Sequence, residues 1–536
     1  MTDTIVALLA KAKQHFIAGR IDAAQHDLQS ILRVRADHPG ALEAMSFVYA
    51  AREDYTRAAE LAWRAAQPAT TVPQQLEQAA RICQCAQRHA DAVALYERLL
   101  ALAPDHAEAL HGAAMSFMQL AQAEAALACL TRLTRRYPHA AQAHYNRGTL
   151  LGLLGRYDEE LEAYRRAIEL KPDFVAAYVN LGVALRDLHR FDEALRQFRK
   201  ALSIDTNDAG ARTNRAQTNL LLGEFEHGWR EYEWRWRDGE MTHGFPAATQ
   251  WTGQPLAGKT VLVHAEQGFG DTLQFIRFIE RLNAKGARVI ARVQEALRPL
   301  LQNVAGAASV TGEFSALPAF DYHVPMLSLP HALTLREGDF ATSSAYLRVD
   351  TEVEDAARAS WSDVIGANEN DDRRLRVGVV WSGSTTHVND RNRSMPLAEL
   401  LPLFDADARF ISLQQEPRER DRACVDELAQ RGRLIDTGAR LTTFPATAAL
   451  VAQLDLVIAV DTAVAHLAGA LGKPVWIALP FTPDWRWQLN RDDSPWYADA
   501  RLFRQTRRGE WGDVVAALRT AIDARIAARS TTRHAA

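Results

Sequence analysis

The feature that most limits what this chain can fold into is a 34-residue period in its first half. Pro104, Pro138 and Pro172 are spaced by 34 positions, as are Gly148 and Gly182, Tyr157 and Phe191, Tyr164 and Phe198, and Ala167 and Ala201. Aligned on that period, AHYNRGTLLGLLGRYDEELEAYRRAIELKPDF and AAYVNLGVALRDLHRFDEALRQFRKALSIDTND are two copies of one helix-turn-helix unit. Small residues stand where paired helices must approach closely, and aromatics fill the space between them. A proline ends the second helix because it cannot continue the hydrogen-bond ladder.

This period and pattern resemble the tetratricopeptide repeat. Two copies match closely, those near 73–104 and 107–138 less well, and those near 5–39 and 40–68 weakly. With the tryptophan-rich stretch 209–237, ending GWREYEWRWRD, the count is six to seven units within a repeat domain expected over 1–240. The resemblance implies an all-α superhelical solenoid whose concave side binds a peptide or protein. A plain scaffold, or a homo-oligomer formed through the repeats, is the competing reading.

At 536 residues the chain has room for about three domains. Its net charge of −4 points to neither a nucleic-acid partner nor an anionic membrane. No run of 18 apolar residues suggests a transmembrane segment. The N-terminus reads as an amphipathic helix rather than an export signal. Four scattered cysteines fit a reducing cytoplasm, and Cys83 and Cys85, two apart on a helix, point to different faces and argue against a shared metal.

From KTVLVHAE (259–266) the pattern changes to strands alternating with helices, the mark of a parallel sheet covered by helices. The polar stretch around WSDVIGANENDDRRL interrupts it, and the alternation restarts at RVGVVWSGS. The expected layout is one α/β domain over 255–350, a linker over 351–374 and a second α/β domain over 375–525. Two such halves form a cleft, with ligands bound beyond the carboxyl ends of the strands.

Three strand ends carry the chemistry. In HAEQGFGDT, Gly268 and Gly270 are read as letting the backbone pass close to a ligand before a helix begins at Asp271 or Thr272. Asp271 is either an N-cap or a general base helped by Glu266. In VVWSGSTTHVNDRNRSMP, the residues Ser382, Ser384, Arg391 and Arg393 suit a diphosphate, which a guanidinium fork neutralises with defined geometry. In LDLVIAVDTAVAHLAGALG, Asp461 and Thr462 cap a helix whose amides and dipole attract anions, with His466 one turn in. Trp485 and Trp487 either stack on a base or sugar or pack in the core.

VDTAVAHLAGALGKPVW, with the earlier GxGD and DRNRSMP, resembles the heptosyltransferase-like glycosyltransferases of family 9, over roughly 255–520. The whole chain resembles bacterial proteins that fuse tetratricopeptide repeats to such a domain. That likeness implies the GT-B fold of two Rossmann-like domains, a nucleotide-diphosphate sugar donor, and inversion at the sugar carbon. It implies that Asp271 is the base, that Arg393 (more often Lys in the family) contacts donor phosphate, and that Asp461, Thr462 and His466 cradle the diphosphate. The segment 483–497 departs from lipopolysaccharide heptosyltransferases, which puts a heptose donor and a lipid acceptor in doubt. No paired carboxylates of DxD spacing adjoin the phosphate motifs, so no metal or other cofactor is expected and a chelator should leave transfer unaffected. The leading expectation is a soluble, cytoplasmic glycosyltransferase for protein glycosylation, its acceptor presented by the repeats. The alternatives are transfer to a lipid-linked or polysaccharide intermediate, and a non-enzymatic repeat scaffold that binds nucleotide sugar.

Overall fold

The computed structural model describes residues 2–68, 70–237, 243–266, 268–340, 345–349, 360–365, 374–387 and 389–534. The chain divides into two compact units, one of residues 1–185 with 192–206, the other of 186–191 with 207–536.

Among the described residues, fourteen helices follow one another as seven hairpins. They are α1 (Thr2–Ile17) with α2 (Ile21–Val34), α3 (Pro39–Ala50) with α4 (Tyr55–Ala65), and α5 (Pro73–Cys85) with α6 (His89–Leu102). Next come α7 (Ala107–Gln119) with α8 (Ala123–Arg136), α9 (Ala141–Leu153) with α10 (Tyr157–Leu170), and α11 (Val175–Asp187) with α12 (Phe191–Ile204). The last pair is α13 (Ala209–Leu221) with α14 (Phe225–Tyr232).

The periodic residues do the work their spacing implies. A Cβ on Gly182 would lie 2.5 Å from the ring of Phe198, and one on Gly148 2.8 Å from Tyr164. A comparable close approach, off the period, occurs between hairpins, where a Cβ on Gly112 of α7 would lie 2.3 Å from Tyr96 of the preceding α6. Helix starts keep the period too: His38 Nδ1 accepts from Ala41 N at 3.2 Å, and His106 Nδ1 from Ala109 N at 3.3 Å. Cys83 is buried and Cys85 exposed, on different faces as their spacing requires.

The seventh hairpin departs from the expected boundary at 240, because its apolar face belongs to the α/β core. Leu220, Leu221, Phe225 and Trp229 share one buried cluster with Val261, Val263 and Phe275. Trp229 meets Trp485 edge-on with ring centres 5.1 Å apart, and meets Phe275 and Phe340 the same way. Edge-to-face pairs of this kind add about 0.5–1.5 kcal/mol each beyond simple burial.

The α/β unit holds two parallel sheets. The first has the order β3 (Ala307–Gly312), β2 (Arg288–Val293), β1 (Thr260–His264), β4 (Tyr322–Pro325). The second has the order β10 (Ala500–Arg504), β9 (Val475–Leu479), β8 (Leu456–Val460), β5 (Leu375–Val380), β6 (Ala408–Ser412), β7 (Ile435–Asp436). Strands β8 and β9 are buried along their whole length, which is why LVIAV and VWIAL read as unbroken apolar runs. In each sheet the chain reverses direction of travel at the first strand laid down, β1 or β5, and a crevice opens there at the carboxyl ends. The stretch LAELLPLFD forms a 3-10 helix (Leu397–Asp405) rather than an α-helix, because Pro402 inside it lacks the amide an α-helical bond needs. Most of the expected linker, 351–359 and 366–373, lies outside the described residues.

Candidate functional site

A cleft of about 1700 Å³ lies against the ends of β1, β5 and β8. Its floor on one side is helix α15 (Phe269–Phe275), and on the other the helix Ala463–Ala470. These two helices pack on each other, and Gly270 makes the approach feasible: a Cβ there would sit 2.8 Å from His466 Cδ2. A Cβ on Gly268 would sit 2.7 Å from Asp271 Oδ2. Both glycines thus make room for groups of the site itself, rather than only for a ligand as the sequence suggested. The helix begins at Phe269, two residues before the expected start.

Asp271 projects into the cleft and forms an ion pair with Arg486, whose Nε also donates to Gln274 Oε1 at 2.8 Å and whose Nη1 donates to Asp484 Oδ1 at 2.8 Å. Burial pushes the Asp271 carboxyl above its ordinary value, and Arg486 opposes that rise without cancelling it. Glu266 is not free to assist. Both its oxygens are held by Arg235, Nε to Oε2 and Nη2 to Oε1 at 2.8 Å each, and Leu327 N donates to it at 2.9 Å. This carboxylate, 3 % exposed, anchors the end of the seventh hairpin to the first sheet.

Across the cleft, the second lobe presents polar atoms that its own chain leaves unused. Ser382 follows β5, its amide donating to Gln414 Oε1 at 3.1 Å, while its Oγ is buried without a hydrogen-bond partner. Thr462 is the N-cap of the Ala463–Ala470 helix, yet its Oγ1 makes no capping bond and is equally unpartnered. Arg393 reaches from the β5 loop to donate through Nη1 to the Asp461 carbonyl at 3.0 Å, and its Nε is buried without a hydrogen-bond partner. Arg418 Nε is in the same condition, while its Nη2 bonds Asp390 and Ser394 Oγ. Buried donors are rarely left unmade, because each lost bond costs about 1–3 kcal/mol. With Thr213 Oγ1 and Gln505 Nε2 in the same condition on the cleft wall, these donors suit a ligand with acceptor oxygens.

The remaining sequence candidates divide. Asp461 lines the cleft; burial and the nearby Asp484 raise its carboxyl to about 6, against Arg393 and Arg486. His466 is buried, its Nδ1 2.8 Å from Tyr497 Oη and its ring stacked on Trp487 at 5.3 Å. Burial first, then Arg486, holds it well below its ordinary value, so this imidazole is neutral at physiological pH. Ser384 lines the rim, paired with Thr386 at 2.8 Å. Arg391 is exposed and does not line the cleft; on the short helix Asp390–Arg393 it is two positions from Arg393 and points another way. Trp487 is fully buried and does not line the cleft, whereas Trp485, 4 % exposed, packs among Trp229, Phe275 and Trp496 and also lines the cleft.

Arg486, Asp484, Gln414, Arg418 and Tyr497 were missed. Arg486 stood in plain view between the two tryptophans of DWRWQ, and Arg418 in the charge run EPRERDR after β6. Among the described residues, no helix is long and apolar enough to cross a membrane.

Residues 111–174 and 175–208 match tetratricopeptide-repeat families, and residues 403–484 match glycosyltransferase family 9 (heptosyltransferase). Protein FlbA of Caulobacter vibrioides is 27% identical over 334 residues, 58% of this chain and 54% of that protein, so the chain spans about half the length of that relative. Among solved structures, MamA is similar at 23% identity and a TM-score of 0.29, covering 31% of this chain and 96% of that one. YrrB, described as a TPR protein with an unusual peptide-binding site, is similar at 17% identity and a TM-score of 0.30, covering 34% of this chain and 95% of that one. The chain therefore carries tetratricopeptide repeats over residues 111–208 and a glycosyltransferase family 9 (heptosyltransferase) region over residues 403–484, the latter including Asp461, Thr462, His466 and Asp484 of the cleft.

Proposed function

We propose that this chain transfers a sugar from a nucleotide-diphosphate donor to a protein acceptor. The observation that carries the donor half is the set of unpartnered buried groups, Ser382 Oγ, Thr462 Oγ1, Arg393 Nε and Arg418 Nε, lining one cleft. A diphosphate supplies the acceptor oxygens they lack, and the amide-rich start of the Ala463–Ala470 helix adds its partial positive charge. Neutral His466 acts there as a hydrogen-bonding group rather than a cation.

Asp271 faces this set from the first lobe and takes the proton of the acceptor hydroxyl or amide. The acceptor oxygen or nitrogen bonds to the anomeric carbon as the carbon–oxygen bond to the diphosphate breaks, with inversion in a single displacement. The leaving electrons stay on the nucleoside diphosphate, whose charge Arg393 and Arg418 stabilise. With these cations in place, transfer needs no divalent ion, and adding magnesium or manganese should leave the rate unchanged. On the acceptor side, the cleft wall includes Arg186 and Asp187 at the end of α11 and Asn214 and Gln217 of α13. These polar side chains offer contacts to a polypeptide at the cleft, and the tetratricopeptide repeats over 111–208, a class with a concave binding face, support a protein acceptor.

The deciding experiment is a thermal-shift screen against nucleoside diphosphates and their sugars. A ligand at 100 times its dissociation constant adds about 2.7 kcal/mol of stability. We expect one nucleotide to shift the melting temperature, with the shift removed by Thr462→Val and reduced by His466→Ala. Folded protein that responds to none of them would overturn the donor assignment.

A further inference from the structure

Outside the cleft, three histidines stand together: His264 at the end of β1, His323 in the neighbouring β4, and His243 on the segment that follows the seventh hairpin. None of them lines the cleft. His264 and His323 are buried and His243 is half-buried, and one ring nitrogen from each lies within 4.8 Å of the other two. Parallel pairing of β1 with β4 sets His323 opposite Leu262 and His264 opposite Pro325, so the two histidines are diagonal neighbours on one face, and His264 Nε2 is 3.2 Å from His323 Nδ1.

The hydrogen bonds around the trio restrict where protons sit. His323 Nε2 is 3.1 Å from the Pro246 carbonyl, which can only accept, so that nitrogen carries the proton. In the neutral ring, Nδ1 is then a lone pair aimed at His264. The 3.2 Å between the two nitrogens is close to the edge, about 3.3 Å, of a tetrahedron with metal–nitrogen bonds of ~2.0–2.1 Å. A remote ring nitrogen bonded to a backbone carbonyl is the usual way a metal-bound imidazole is oriented. His243 is the adaptable member: its Nδ1 accepts from Phe245 N at 3.1 Å, a contact within its own turn that coordination through this atom would replace.

We propose that His243, His264 and His323 bind a divalent transition-metal ion of the zinc class, which clips the segment after the last repeat hairpin to the first sheet. Three nitrogens leave one coordination position for water. The segment is otherwise tied to this sheet by Trp251 N, donating to the His323 carbonyl at 2.8 Å, and by the bridge between Gln250 and His323. This ion has no part in the transfer chemistry, and the inference does not depend on the sugar-transfer reading.

The test is metal analysis of the full chain, produced without a metal-binding tag, followed by titration of chelator-treated protein with cobalt(II) and with zinc. We expect about one equivalent bound, visible cobalt absorption bands that zinc abolishes, and a higher melting temperature with zinc. His243→Gln, at the least buried position, should keep the circular dichroism of the fold and bind the ion at least about tenfold more weakly. Its response to nucleotide should be unchanged. Folded protein that takes up neither ion would overturn the proposal and leave a hydrogen-bonded imidazole cluster. Full-strength binding by His243→Gln would overturn the assignment of the ligands.

Discussion

Glycine makes room in two regions of this molecule, and what fills the room differs. In the repeat region, Gly112, Gly148 and Gly182 admit the rings of Tyr96, Tyr164 and Phe198, so the space serves packing alone. In the cleft, Gly268 and Gly270 admit Asp271 and His466. The steric logic is the same, but the second region spends its closeness on polar groups, several of which keep buried atoms unpartnered. A substitution in the first region should therefore read out in stability, and one in the second in binding or rate.

The largest expected effect is Asp271→Asn. Losing a general base typically costs about 10²–10⁴ in rate. Donor affinity should stay within a few-fold, because the groups proposed to hold phosphate lie on the other lobe. Unchanged transfer would remove Asp271 from the chemistry and reduce it to a partner of Arg486. Next is Arg393→Ala, which removes a charge-assisted contact of about 1.5–3 kcal/mol and should weaken nucleotide binding roughly 10- to 100-fold in calorimetry. An affinity that does not move would show that the unpartnered Nε is not aimed at the ligand.

The glycine comparison is tested directly by a pair of variants. Gly182→Ala forces a methyl against the Phe198 ring, and Gly270→Ala forces one against His466, each overpacked by about 1–3 kcal/mol. Both should melt earlier, but only Gly270→Ala should also weaken nucleotide binding. Equal effects on binding would erase the distinction between the two regions.

How much of this was readable beforehand follows the same division. The repeat hairpins announce themselves because packing contacts recur at a fixed offset, the 16 positions from Gly148 to Tyr164 and from Gly182 to Phe198. The Asp461, Thr462 and His466 element was equally visible, since one strand end and one helical turn hold all three. Contacts made across the fold were not. Arg486 meets Asp271 over 215 positions, and Arg235 meets Glu266 from a different structural region, so no local spacing encodes either pair. The two tryptophans beside Arg486 were ambiguous for a physical reason: an indole suits a sugar face and a hydrophobic core equally well, and only its neighbours decide. The histidine trio is drawn from three separate elements, which hides it in the same way.

The smallest effect concerns Asp461, the one acid among the residues proposed here to hold phosphate. Its carboxyl is raised to about 6, first by burial and then by Asp484, against Arg393 and Arg486. Because the folded value lies above that of an unfolded aspartate, this group's contribution to stability is present in acid and lost as pH rises through about 6. A bound diphosphate adds negative charge beside it, so donor binding should strengthen as pH falls through the same range. One like charge at this exposure is worth about 0.5–1 kcal/mol, or two- to fivefold in affinity. An intact nucleotide sugar is the right probe, because its diphosphate diester does not titrate there, and His466 stays neutral throughout. Asp461→Asn should bind at pH 7.5 as tightly as the parent does at pH 5.5 and lose the pH dependence between them. Weaker binding by the variant at both pH values would mean that Asp461 works as an ionised acceptor, orienting a donor hydroxyl, and that the cleft is less purely an anion site than its unpartnered atoms indicate.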